Sequence, residues 1–138
     1  MKLTLKPVPA NLVYQVWDII APFIESAFVE GAVTEYGLEH AKLYLTTGQW
    51  LAVGFLDDDN QFHGAATISF ANTPNARVAL CTAIGGKSVA SPETLEQLKT
   101  ICRAHGATTL QAYARESAAR LWCRIGFEKR AILVETTL

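Results

Sequence analysis

A glycine pair followed by a lysine is the first stretch of this 138-residue chain whose residue types could bind an anion. This stretch, Gly85, Gly86 and Lys87, directly follows the apolar run RVALCTAI. Backbone N–H groups of such a turn, with an ammonium beside them, can hold a phosphate. A Walker A loop needs a glycine at the position of Cys81, so nucleotide binding of that kind is disfavoured. Two interpretations stay open: a shifted anion site, or a turn that ends a strand.

The other residues that could do chemistry form no known catalytic or metal-binding motif. Cys81, Cys102 and Cys123 lie far apart without a C-x-x-C pair, which favours reduced thiols in apolar surroundings. His63 is the nearest candidate for a base, although a lone histidine in a hairpin is more often structural. The aspartates at 57–59 lack the spacing of a calcium loop, so they predict a solvated turn and we expect no metal site.

Length and composition limit the classes of protein that can carry these residues. A chain of 138 residues fits one domain, residues 1–138, and half of it is hydrophobic, which is enough for a core without metals or disulfides. The net charge of −1 disfavours nucleic acid as a partner. The N-terminus lacks a signal-peptide pattern and we expect no membrane insertion. We therefore expect a soluble, intracellular protein, for which protein partners or self-association are favoured over nucleic acid.

Hydrophobic periodicity predicts the elements of the first third of the chain. KLTLKPV alternates and predicts a short strand, and apolar residues at helical spacing follow it. We expect that helix to be capped by Asn11, to be bent or divided at Pro22, and to reach about Gly31. A second helix is predicted from about 34 to 47, with Gly48 as its stop.

The rest of the chain predicts a sheet with helical crossovers. WLAVGFL and QFHGAATISF flank a polar turn and predict a hairpin with a bulge near Gly64, and RVALCTAI predicts a central strand. Ser91 and Pro92 predict a helix start, and Gly106 its end. TTLQAYA, ARESAARLWCRIGF and RAILVETTL predict a strand, a helix and a last strand. The order is β-α-α-β-β-β-α-β-α-β, an α/β (α+β) class with a mixed, mostly antiparallel sheet flanked by helices.

This order resembles the fold of the Gcn5-related N-acetyltransferase (GNAT) superfamily over nearly the whole chain. Ala118, Leu121, Gly126 and Phe127 match a helix of that family that carries Ala and Leu-Tyr and ends in Gly-Phe before a strand. The resemblance implies a GNAT fold, and it implies acetyl-CoA as the cofactor if the protein is an enzyme.

The positions at which the GNAT family does its chemistry carry other residues here. Arg115 corresponds to an Asn that helps hold the pantetheine arm, and Trp122 to a Tyr that protonates the departing CoA thiolate. An indole N–H cannot serve as that acid. SVASPET lacks the glycines of the family's pyrophosphate loop, and the central strand has no carboxylate to act as a base. The weak catalytic candidates are His63 and Trp122, and the cofactor-binding candidates are Gly85, Gly86, Lys87, Arg115 and Ser117.

Two hypotheses about function follow. KLYLTTGQW, TAIGGK and ARESAARLW are similar to small phage-encoded GNAT-like proteins found among virion and structural genes. The first hypothesis is a GNAT fold without standard acetyl transfer, which needs no cofactor and acts as a binding or structural component in the host cytoplasm or the virion. The alternative is an acetyl-CoA-dependent N-acetyltransferase that works mainly by proximity.

An enzyme should keep a V-shaped gap beside the central strand, whereas a structural protein should fill it with side chains such as Trp122. The spacing of Trp122 from Ala118 and Ile125 suggests that it faces inward, in which case its truncation would cost about 3–5 kcal/mol.

Overall fold

The computed structural model describes residues 1–31 and 35–138 and contains one five-stranded sheet with helices on both faces. The strands lie in chain order and are antiparallel, except for the last pair, which is parallel. The predicted mixed, mostly antiparallel sheet flanked by helices is confirmed. The elements are β1 (Thr4–Val8), α1 (Val13–Glu30), α2 (Leu38–Thr46), β2 (Trp50–Leu56), β3 (Phe62–Thr73), β4 (Ala76–Gly86), α3 (Pro92–Ala104), β5 (Thr109–Ala112) and α4 (Glu116–Ile125).

Helix α1 is one continuous helix that contains Pro22. A 3-10 turn, Ala10–Leu12, precedes it, so Asn11 lies inside that turn and does not supply the predicted cap. By length and composition alone, the stretch Ala10–Glu30 could cross a membrane. The core helix of a soluble protein has the same properties, and Ile20 and Ile24 of α1 are buried in a core cluster with residues of the sheet.

Helix α2 does not include residues 35–37, which the sequence predicts to be helical. Its first residue is Leu38, and the N–H of Gly37 donates to the Nδ1 of His40 at 2.8 Å. The predicted start near Thr34 lies outside the described residues. The predicted stop is confirmed, since Gly48 has a φ of 82° that favours glycine.

Two hydrophobic clusters hold β1 to β4 in place, one on each face of the sheet. On one face, α1 and α2 cover the strands. The ring of Trp50 in β2 packs edge-on against Tyr36 and at a tilt against Tyr44, with 4.9 Å between ring centroids in each pair. On the other face, α3 packs Leu98 and Cys102 over the strands. Central members of the two clusters are Val13, Ile24, Leu45, Trp50 and Ala65 on the first face, and Leu5, Val53, Phe55, Ile68 and Leu98 on the second.

The C-terminal part of the chain differs from the predicted elements. Residues 127–138 are all described and none of them lies in a strand, so the predicted last strand, RAILVETTL, is wrong for the isolated chain. Its alternating, β-branched sequence suits a strand, but a strand needs a neighbour for its backbone hydrogen bonds. Ile132 and Val134 are 90% and 85% exposed. The sequence of this segment therefore has strand propensity, but no strand within residues 1–31 and 35–138 lies beside it to accept its backbone hydrogen bonds.

Candidate functional site

The most site-like feature is a gap between β4 and β5. The two strands pair from Val78 with Thr109 to Cys81 with Ala112, after which β5 ends and β4 continues to Gly86. Residues 82–86 consequently have no strand neighbour on this side in the described part of the chain. The gap opens at the carboxyl ends of two parallel strands, which is where open α/β sheets bind ligands.

A bulge in β4 begins where the two strands separate. Ala83 pairs with Thr67 of β3 and Cys81 pairs with Ile68, so Thr82 is one extra residue in β4. The Thr82 hydroxyl donates to the Thr67 carbonyl at 3.1 Å and lies 2.7 Å from the Thr67 hydroxyl. A bulge bends and twists its strand, and this one turns β4 where its pairing with β5 ends. The sequence carries no local signal for it, because the extra residue is defined only by the register with β3.

Helices α3 and α4 both start at this end of the sheet, because each follows the carboxyl end of one of the two strands. The start of α3 is closed by its own side chains. The Ser91 hydroxyl accepts from the Thr94 N–H, and the Thr94 hydroxyl accepts from the Ser91 N–H, both at 3.1 Å. Pro92 has no N–H to offer. The predicted helix start at Ser91 and Pro92 is confirmed, and it leaves few donors for an anion.

The start of α4 is open. Arg115 occupies the cap position and its side chain caps no N–H, so the first-turn donors of α4 have no capping side chain. Arg115 and Ser117 are both exposed here. Glu116 is held at 2.6 Å by Lys129, whose hydrogen bond and charge lower the pKa of the Glu116 carboxyl. Of the predicted cofactor-binding residues, Arg115 and Ser117 thus lie beside free helix donors at the mouth of the gap.

Gly85 and Gly86 have a packing reason for being glycine. A Cβ on Gly85 would lie 2.2 Å from the carbonyl oxygen of Phe23 in α1, so the helix backbone rests on this strand. A Cβ on Gly86 would lie 2.3 Å from the carbonyl oxygen of His63, and its φ is 128°. The Lys87 N–H donates to that same His63 carbonyl at 3.1 Å. The pair therefore serves the contacts of β4, and its binding of an anion stays a prediction.

His63 lies one strand away from the gap and is paired with Asp57. Its Nε2 lies 2.7 Å from Asp57 Oδ2, and both side chains are largely covered. Asp57 Oδ1 also accepts from the N–H groups of Asp59 and Gln61, and these bonds, the bond to His63 first, lower the pKa of Asp57. This arrangement closes the β2–β3 turn. The geometry favours a structural role for His63, and the sequence analysis missed Asp57 because three consecutive aspartates resemble any solvated turn.

The cysteines are free thiols in this structure. Cys81 lies where β4 and β5 separate, and its Sγ lies 3.3 Å from the carbonyl oxygen of Ala83. Burial raises the pKa of Cys81 to about 12, and burial also raises the pKa of Cys102. A thiol with so high a pKa is protonated at neutral pH and is a poor nucleophile.

Trp122 does not lie in the core, contrary to the expectation that its spacing suggested. None of the residues of α4 is buried, and the Trp122 ring packs edge-on against Phe127 at 5.6 Å between ring centroids. Gly126, with a φ of 135°, ends α4 as predicted. None of the α4 side chains is fully buried, and the contrast between an open gap and one filled by side chains such as Trp122 stays a prediction.

The comparisons with known proteins agree with this architecture. No protein-family model matches the sequence, and no curated protein matches it. Solved structures do match over nearly the full length of both chains. An aminoglycoside acetyltransferase, HMB0005, from an uncultured soil metagenomic sample has 14% identity and a TM-score of 0.70, with 100% of this chain and 99% of that chain covered.

Two further matches carry ligands. The aminoglycoside acetyltransferase meta-AAC0020 from an uncultured soil metagenomic sample, in complex with sisomicin, has 12% identity and a TM-score of 0.71, with 99% and 96% of the two chains covered. A predicted acetyltransferase from Clostridium acetobutylicum, solved with acetyl-CoA, has 12% identity and a TM-score of 0.66, with the same coverage. The chain therefore has a GNAT-like fold whose structural neighbours are acetyltransferases. The expected phage origin and virion association stay predictions.

Proposed function

We propose that this protein binds acetyl-CoA in the gap between β4 and β5 and transfers the acetyl group to an amine mainly by holding the two reactants together. The observation that carries the proposal is the separation of the strands after Cys81 and Ala112, next to the bulge at Thr82. A narrow thioester arm fits between strands that diverge, and the freed backbone groups of 82–86 can hydrogen-bond to it.

The charges at the mouth of the gap support an anionic ligand at α4 rather than at α3. The N-terminus of α4 offers first-turn N–H groups without a side-chain cap, and Arg115 and Ser117 stand beside them. Such a helix start attracts phosphate through its free donors and its dipole, and a guanidinium adds charge-assisted hydrogen bonds. Each helix has one glutamate in its first turn, but Glu116 of α4 is paired with Lys129. The α3 start, which carries Pro92 and caps itself, is therefore the poorer phosphate site.

The chain's own residues support transfer by positioning. Acetyl-CoA supplies an activated thioester. The described part of β4 carries no carboxylate, His63 is engaged with Asp57, and Cys81 stays protonated, so an acyl-enzyme on that thiol is disfavoured. The acceptor amine then has to arrive unprotonated, attack the carbonyl carbon directly and give its extra proton to water or to the departing thiolate. Proximity and orientation alone can supply a large part of the barrier reduction.

Calorimetric titration with acetyl-CoA tests the proposal. We expect binding, and we expect Arg115→Ala to weaken it roughly tenfold or more, as for loss of a charge-assisted hydrogen bond. Arg124→Ala, at the other end of α4, is the matched control and should leave binding unchanged. Release of the CoA thiol with a panel of amines should then rise with pH until the acceptor is deprotonated, and His63→Gln should leave that profile in place.

A second function has one observation in its favour. The self-capped, proline-containing start of α3 is ill suited to a pyrophosphate, as expected of a GNAT fold used as a binding or structural component. Absence of acetyl-CoA binding at millimolar ligand would overturn the enzyme proposal and leave this one. An Arg124→Ala effect as large as that of Arg115→Ala would overturn the assignment of the anion site.

A further inference from the structure

The C-terminal segment, residues 128–135, has a strand-like sequence but pairs with no strand among residues 1–31 and 35–138. Ile132, Leu133 and Val134 are 90%, 64% and 85% exposed, although all three are large apolar residues. No residue of the segment lies in a helix or in a ladder with another described strand, so its N–H and C=O groups can pair with a strand from outside the chain. Consecutive exposed apolar side chains of this kind mark an interaction surface.

The neighbouring elements are equally unpartnered. Helix α4 has an apolar face, yet Leu121 is 45% exposed and none of the residues of α4 is buried. Beside β5, an open groove of about 440 Å³ is lined in part by Thr109, Gln111 and Arg130. The segment adjoins α4 through Lys129 and Glu116, and it adjoins β5 through Arg130 in this groove. Together they form a face to which no further strand of the described residues is paired.

We infer that this face is covered by a second copy of the chain, and that the two C-terminal segments pair as antiparallel strands about a two-fold axis at Ile132. A two-fold axis perpendicular to an antiparallel pair requires that the two residue numbers in each pair add to an even sum, with one residue opposite its own copy. Only a few registers satisfy this condition within the segment.

Charge complementarity selects one of these registers. With Ile132 opposite its copy, Ala131 faces Leu133 and Lys129 faces Glu135 of the other chain, in both halves of the dimer. Moving the axis to Ala131 or Leu133 places Glu135 opposite Phe127 or Ala131 and loses both ion pairs. Opposite charges directly across a strand pair stabilise it and like charges destabilise it. An axis at Lys129 would place Glu128 opposite Arg130 but would also set the two copies of Lys129 against each other. The register with Ile132 on the axis is thus the one that has opposite-charge pairs and no like-charge pair.

The contact between Lys129 and Glu116 does not prevent this pairing. Lys129 lies 2.6 Å from the Glu116 carboxylate, and both side chains are largely exposed. An ammonium has three donors and can bind a second carboxylate from the other chain. The bond to Glu116 also ties the start of the segment to α4, which fixes the lysine before the second copy arrives.

Sedimentation equilibrium of the full chain over micromolar to millimolar concentrations tests the inference. We expect a monomer–dimer equilibrium, and Glu135→Lys should weaken the dimer by roughly tenfold, because both ion pairs become repulsive. Reversing both charges, with Lys129→Glu and Glu135→Lys together, should restore it to within a few-fold in a Glu116→Gln background, which removes the carboxylate that Lys129 binds in its own chain. The matched control is Glu128→Lys, which makes the same charge change opposite a neutral Thr136. It should weaken the dimer much less than Glu135→Lys does.

Cross-linking tests the register independently. In a Cys123→Ser background, Ile132→Cys should form a disulfide-linked dimer on mild oxidation, whereas Leu138→Cys should do so far more slowly. A chain that stays monomeric throughout would overturn the inference, and it would point to a different protein or to the chain's own β5 edge as the cover. Equal effects of the Glu135→Lys and Glu128→Lys variants, failure of the charge reversal, or equal cross-linking at the two cysteine positions would also overturn it.

Discussion

The body of the sheet and its C-terminal edge are held by different kinds of contact. Strands β1 to β4 lie between α1 and α2 on one face and α3 on the other, with fully buried residues on both faces. The C-terminal edge of the sheet consists of the four-residue strand β5 and of α4, which has no buried residue. The candidate site lies between the two parts, so one wall of the gap is rigid and the other is only lightly held. A wall with few buried contacts opens at low cost, which suits the entry of a ligand.

The largest expected effect contrasts the two parts directly. Phe55→Ala removes a ring that is 1% exposed and should lower the free energy of unfolding by about 3–5 kcal/mol. Trp122→Ala removes a larger ring that only partly leaves water, and should cost no more than about 1–2 kcal/mol. Urea unfolding of both variants measures the difference. Equal losses would mean that α4 is packed as firmly as the body of the sheet.

A smaller effect is expected where the two parts meet, at the end of β4. Gly86→Ala should lower the free energy of unfolding by about 2–3 kcal/mol, because its methyl group would meet the His63 carbonyl at 2.3 Å and its φ is 128°. Gly106→Ala is the matched control, since φ is also positive there but the new methyl group would have room. It should cost about 1 kcal/mol.

The same pair of variants separates packing from ligand binding at Gly86. If the glycine serves only the contact with β3, acetyl-CoA affinity measured on the folded fraction should change little in Gly86→Ala. A large loss of affinity with an unchanged urea midpoint would contradict the packing explanation and favour the predicted anion turn.

The difference between the two parts also decides how far the sequence could predict the structure. In the body, patterns have local causes: Ser91 and Pro92 start α3, and Gly48 stops α2. The GNAT-like order follows from such patterns. The bulge at Thr82 and the pairing of His63 with Asp57 depend on the register between strands, which no short stretch encodes.

The prediction of a last strand was wrong for a further physical reason. Ile132 and Val134 have strand propensity, but a strand exists only when another strand lies beside it, and propensity does not reveal whether that neighbour belongs to the same chain. Trp122 was expected to face inward because of its spacing from Ala118 and Ile125, but an apolar helix face needs a cover whose identity its own sequence does not give. Arg115 was proposed from the family resemblance, and its role and that of Ser117 stay predictions, whereas the gap itself required the three-dimensional pairing of β4 with β5.

The smallest expected effect is electrostatic and lies in the firm part of the molecule. Hydrogen bonds from His63, Gln61 and Asp59 lower the pKa of Asp57 below its ordinary value of 3.8. As the pH falls, the Asp57 carboxyl therefore binds a proton at a higher pH in the unfolded chain than in the folded chain. The stabilisation is fully present above pH 4 and is lost as the pH falls through the lower, folded-state pKa.

Urea midpoints measured from neutral pH down through this acid range test the assignment. Asp57→Asn should be less stable at neutral pH and should lose less stability on acidification than the unmodified protein. Asp58→Asn removes the same charge one position away and should keep the full acid dependence. If Asp58→Asn flattened the acid limb as much as Asp57→Asn, general charge repulsion in the turn would explain the effect, and His63 would lose its role as the partner that locks the β2–β3 turn.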